Sequence, residues 1–115
     1  MCNYTFNVSD KRFCEMANCE INELLLVNNT DAKKYQIKNQ IKIVNEQDAE
    51  KYFMAEIVEM YYFDTIMDAL IMLDKKKLGY SNRKPLTQIE DALLTKIKAE
   101  DVQKYGVVVL EFKRI

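Results

Sequence analysis

Gly106-Val107-Val108-Val109-Leu110-Glu111-Phe112 (GVVVLEF, 106–112) is the run that decides the fold. Four consecutive aliphatic residues leave no wet face, so a strand built from them has to be covered on both sides; it reads as the closing strand of a sheet core. Working back toward the N-terminus, 99–104 reads as a short turn. Residues 85–90 (PLTQIE) offer Thr87 and Glu90 as a capping box for a helix running to about Ile97, with Ile89, Ala92, Leu93 and Ile97 on its buried side. Phe63, Ile66, Met67, Leu70 and Leu73 follow the helical i, i+3, i+4, i+7 rule, with Asp64 and Asp68 on the other side.

Residues 52–62 (YFMAEIVEMYY) form the longest β-prone run and are expected as a strand, with at least one of Tyr61, Tyr62 and Phe63 reaching the surface. A strand at 37–43 puts Ile37, Ile41 and Ile43 on one face and Lys38, Gln40 and Lys42 on the other. Residues 21–28 (INELLLVN) read as a central strand, followed by turn chemistry at Asn28, Asn29, Thr30 and Asp31. At the start, 4–8 (YTFNV) alternates as a short strand. Ser9 is placed to cap a helix that ends near Asn18, with Val8 and Phe13 as a hydrophobic staple and Phe13, Met16 and Ala17 on one apolar face.

The chain has 115 residues, 49% of them apolar and 30% charged, with only two Gly and one Pro, so disordered tails and flexible linkers have little to be built from. A single domain over 1–115 with one β-rich core is expected. The first residues lack the basic and apolar regions of a signal peptide, and no stretch has the roughly 18 unbroken apolar residues of a membrane span, which points to a cytoplasmic protein off the membrane. Cys2, Cys14 and Cys19 are an odd set, expected as free thiols partly buried against the core. The absence of His removes every Ser-His, Cys-His and His-metal arrangement, and no metal or cofactor is expected. A net charge of −1 gives no global field for phosphate backbones, so any nucleic-acid binding has to come from a local patch or pocket.

The order of these elements resembles the ASCH domain, a small PUA-like β-barrel. Lys104 to Phe112 is similar to that family's Tyr-Gly-Val closing strand; Phe13-Cys14-Glu15-Met16-Ala17-Asn18 resembles the helix leading into its Gly-x-Lys-x-x-Glu-x-Arg signature; Ile37-Lys38-Asn39-Gln40-Ile41 stands where the family usually carries Gly-Asp. The resemblance implies an α+β fold, a barrel of about five strands with two to three flanking helices. The signature positions fall on Asn18, Glu20, Glu23 and Leu25, so only its Glu is kept. Some ASCH proteins are amidohydrolases on an acylated cytidine through a Lys, a Thr and a Glu; here Glu20 stands at the Lys position and Glu23 near the Thr position, and a carboxylate cannot replace an ammonium that polarises a carbonyl. Other relatives bind RNA or modified bases in the cleft.

The cleft candidates are Asn22, Glu23, Lys38 and Tyr62. Glu20 and Glu23 fall on opposite faces of a strand, which argues against a shared acid–base site, and a buried Glu23 among apolar neighbours needs a partner or a raised pKa. Lys75, Lys76 and Lys77 with Tyr80, Arg83 and Lys84 combine cations with an aromatic able to stack on a base, against the plainer reading of a solvated connection after a helix. The expected function is therefore a non-catalytic binding module contacting RNA or a nucleotide through the cleft and the basic 75–84 loop. The alternative is a protein-interaction or inhibitor protein of the phage or mobile-element accessory type, contacting a host or other partner protein. An amidohydrolase ranks last.

Overall fold

The computed structural model describes residues 3–18, 21–30, 32–81 and 83–115. Five strands and four helices follow in the order β1 (Asn3–Val8), α1 (Asp10–Ala17), β2 (Glu23–Val27), β3 (Gln40–Asn45), β4 (Asp48–Phe63), α2 (Ile66–Met72), α3 (Leu86–Leu94), α4 (Ala99–Tyr105) and β5 (Val107–Arg114), with one 3-10 turn at Ala32–Lys34. The strands form one sheet in the order β1-β3-β4-β5-β2, with β1 and β3 parallel and every other pair antiparallel. It curls into a half-barrel, since Phe6 of one edge strand and Leu26 of the other pack on the same apolar cluster.

Val107 to Leu110 are all buried, as a run without a wet face requires. Val108, Leu110 and Phe112 point into a cluster inside the curl with Ile41, Ile43, Phe53, Ala55, Ile57 and Met16 of α1. Val107 and Val109 point the other way, into a second cluster with Ile66, Ala69, Leu70, Leu78, Ile89 and Val102. Two apolar clusters thus share one sheet in place of the single core expected, because a strand buried on both faces needs a layer on each. Strand β4 serves both. Its register against β5 shifts between Ile57 and Glu59, and the extra residue reverses the alternation, so Phe53, Ala55 and Ile57 face the first cluster while Tyr61 and Phe63 face the second.

The first helix forms as its cap predicts: the Ser9 Oγ accepts from the Arg12 N–H at 3.3 Å, and Val8 and Phe13 both pack on the first cluster. Gly106 is obligatory at the entry to β5, since its φ is +74° and a Cβ there would lie 2.7 Å from the Phe63 carbonyl oxygen.

Locally the chain departs from the expected elements in several places. Strand β2 is an edge, not a central strand, because β5 takes the place between it and β4. Ile37 is 48% exposed and outside β3, because Lys38 adopts a φ of +77° and turns the chain before the strand begins. Strand β4 starts at Asp48, ahead of 52, where the exposed residues 48–51 carry no apolar alternation. The Thr87–Glu90 capping box does not form: Pro85, with φ near −60°, starts α3 before Thr87, which lies inside the helix. That helix ends at Leu94 and fully buries only Ile89, leaving Ala92, Leu93 and Ile97 half-buried. Residues 99–105 are helical rather than a turn; Glu100 and Asp101 in the first turn and Lys104 in the last suit the helix dipole, but with Val102 alone buried the segment shows little periodicity. Cys14 is a free thiol but exposed, because Phe13, Met16 and Ala17 take the inward side of α1. Cys2, Cys19, Glu20 and Asp31 lie outside the described residues.

Candidate functional site

The half-barrel leaves β1 and β2 as its two edges, and both line one cleft of about 520 Å³. Phe6, Asn7 and Val8 stand on one side and Leu24 to Val27 on the other, with Leu78, Tyr80, Leu93 and Ile97 completing the walls. Phe112 N–H donates to the Asn22 carbonyl and Asn28 N–H to the Gly106 carbonyl. The alternation between them turns the N–H and C=O groups of Leu25 and Val27 away from β5, toward the cleft. Arg12, Lys96 and Glu46 are its charged lining residues. The Arg12 guanidinium is anchored by donating to the Leu78 carbonyl at 3.3 Å, which holds a cation beside an apolar wall.

Residues 74–81 of the basic loop are folded onto this wall rather than trailing in solvent. Successive turns bond Lys77 N–H to the Asp74 carbonyl, Leu78 and Tyr80 N–H to the Lys75 carbonyl and Gly79 N–H to the Lys76 carbonyl. Leu78 is buried in the second cluster, and Gly79, at φ +99°, passes so close to Ile21 that a Cβ would lie 2.7 Å from its Cδ1. The Lys75 ammonium donates to the Lys84 carbonyl at 2.7 Å, so it closes the loop. Lys84 lies 5.4 Å from the centre of the Tyr80 ring, a cation–π pair at the cleft wall. Lys76, Lys77 and Arg83 are exposed. Tyr80 thereby joins the basic loop to the cleft.

Beneath the loop lies Glu23. The Lys77 carbonyl accepts from both Asn22 and Glu23 N–H, at 3.1 and 3.2 Å. The Glu23 side chain is 2% exposed, and its Oε1 has no hydrogen-bond partner among the described residues; nor has the buried Oδ1 of Asn22. Burial raises the Glu23 carboxyl above the ordinary carboxylate range; Lys77 opposes this, while Glu111 and Asp74 add to it. The sheet register explains the neighbourhood: Glu23 is paired with Glu111, and Glu111 with Glu59, so three carboxyl side chains stand side by side on one face of β2, β5 and β4. The Tyr61 hydroxyl donates to Glu111 Oε1 at 3.3 Å, and its phenol is pushed up by desolvation first and by Glu111 next. No group of three or more His, Cys, Asp or Glu side chains among the described residues is placed to hold a metal ion.

The four cleft candidates do not share one cavity. Asn22 lines a separate hollow with Val58 and Glu111, Glu23 is sealed under the loop, and Lys38 occupies the turn whose N–H donates to the Ile57 carbonyl. Tyr62 is exposed beside α2. The cleft's own charged groups, Arg12 and Lys96, come from segments about eighty residues apart, and no sequence pattern joins them. In the sequence Glu111 is marked only by being the one polar residue of the run 107–112.

No protein-family model matches the chain, and no curated protein matches it. Among solved structures, it is similar to the crystal structure of hypothetical protein PH0355, with a TM-score of 0.83 and 10% identity over 99% of this chain and 100% of that one. It is similar also to the solution structure of protein PF0455 from Pyrococcus furiosus, with a TM-score of 0.73 and 11% identity over 99% of this chain and 98% of that one. At such identities the likeness is one of fold, and the chain shares its five-stranded α+β architecture with these two proteins over nearly its whole length.

Proposed function

We propose that this chain is a non-catalytic, ASCH-like binding module of the PUA-like kind that contacts single-stranded RNA or a nucleotide through the edge cleft and the 74–84 loop. The observation that carries the reading is the position of Tyr80, which belongs to the basic loop, lines the cleft and holds Lys84 over its ring. An aromatic face bordered by cations is what a stacked base with its phosphate needs, and stacking is worth about 1–3 kcal/mol per base. Arg12 and Lys96 add positive charge within the cleft, and the backbone edge of β2 offers donors and acceptors to a base. Lys75, which closes the loop, is a positioning residue; Lys76, Lys77 and Arg83 are the exposed loop cations available to phosphates.

Fluorescence anisotropy with short single-stranded RNA at two salt concentrations tests this. Affinity is expected to fall with salt by about 0.7 log unit per log unit for each phosphate contacted. The Lys76→Ala/Arg83→Ala variant should flatten that slope, and Tyr80→Ala should weaken binding about tenfold or more without flattening it. Absent or salt-independent binding would reject the proposal.

A further inference from the structure

A second surface lies outside the cleft, where β4 ends and α2 and α4 pass. Helix α2 satisfies the second cluster with Ile66, Ala69 and Leu70, yet its next two residues, Ile71 and Met72, are 63% and 73% exposed. With Tyr62, 61% exposed, and Tyr105, 36% exposed, they line one hollow of about 460 Å³. Eight bulky apolar side chains are exposed among the described residues, and four of them converge here, so the patch is not a scatter of single surface residues. The core has no use for them; α2 is already anchored by its other side.

Charge identifies the occupant. The charged lining residues of the hollow are Asp64 and Asp68, both exposed carboxylates and neither in a salt bridge among the described residues. Lys104 lies over the Tyr105 ring at 5.1 Å, so one aromatic face at the rim already receives a cation from within the chain. An apolar floor with an acidic lip disfavours phosphate and favours a bulky apolar side chain flanked by Lys or Arg. We propose that this hollow docks a partner protein through a short segment of that chemistry, an apolar anchor with basic neighbours. The surface is separate from the cleft and does not depend on the RNA reading.

Selection of a displayed random-peptide library on the intact protein tests it, with Ile71→Gln/Met72→Gln and Asp64→Asn/Asp68→Asn variants as counter-targets. Both pairs are exposed and outside the buried clusters, so the variants are expected to melt as the native chain does. Peptides retained by the native protein should be enriched in an apolar residue with Lys or Arg within about three positions. They should bind each variant at least tenfold more weakly, the Asp→Asn loss shrinking at high salt. The proposal is overturned by no enrichment, by acidic or uncharged flanks, or by equal binding to the Ile71→Gln/Met72→Gln variant. It is equally overturned if sedimentation shows a dimer of this chain that the same substitution dissolves.

Discussion

Asn45 and Glu23 are equally buried polar side chains, at 1% and 2% exposure, and their surroundings differ in almost every other respect. Asn45 closes the hairpin between β3 and β4: its Nδ2 donates to Asp10 Oδ1 at 2.7 Å, and its Oδ1 accepts from Gln47 N–H at 2.9 Å. A single side chain thus ties the hairpin turn to the start of α1. Glu23 stands on the edge strand β2 with an unpartnered oxygen, Glu111 beside it in the sheet, Glu59 one strand further on and a basic loop laid over it. A buried polar group with every bond made is a structural joint; one left short of bonds is a cost borne by the fold. That cost falls under the loop that carries Tyr80, and it marks the end of the molecule where binding is proposed.

Substitution at each position separates the two roles. Asn45→Ala breaks the bonds to the Asp10 carboxylate and from the Gln47 N–H; both partners are exposed and can turn to water, so the loss in urea unfolding should be about 2 kcal/mol, the net worth of two hydrogen bonds and the largest effect expected. Glu23→Gln keeps the shape and removes the carboxyl. It should gain about 1 kcal/mol near pH 8, because burying an uncompensated carboxylate costs more than burying an amide. The sign of the pH dependence follows from the raised carboxyl: in the native chain its contribution is fully present below the unfolded pKa, about 4.3, and is lost as pH rises through the higher folded value. The advantage of Glu23→Gln should therefore grow with pH and vanish below about pH 4. A gain independent of pH would mean that the carboxyl titrates normally. Smallest of all, Lys76→Ala/Arg83→Ala should move stability by no more than about 0.5 kcal/mol, since both side chains are exposed, so its loss of RNA affinity reads as lost contact.

What could be seen in the sequence follows the range of the interactions. Strand β5 was legible because its apolar run answers to burial alone, and α1 because Ser9 and the staple act within one turn. The edge position of β2 was not legible: LLLV reads as a central strand until β5 is known to pair beside it, and that pairing joins residues some eighty positions apart. Ile37 misled because the left-handed turn at Lys38, a residue with no special preference for positive φ, breaks the alternation. At the site, a carboxylate in mid-strand was a visible anomaly, and the 75–84 cations with Tyr80 were a visible patch. Their meeting was not visible. It needs the Lys77 carbonyl over Asn22 and Glu23, and Leu78 in the second cluster, to bring the patch against the cleft.

The most direct test is to map backbone amide shifts by NMR as a short single-stranded RNA is titrated into the protein. Perturbations concentrated at Arg12, Lys76, Tyr80, Arg83 and Lys96, with the Asn45 hairpin and the Tyr62–Met72 hollow unmoved, are the predicted result. Shifts centred on the hairpin or the hollow, or none at saturating RNA, would contradict it.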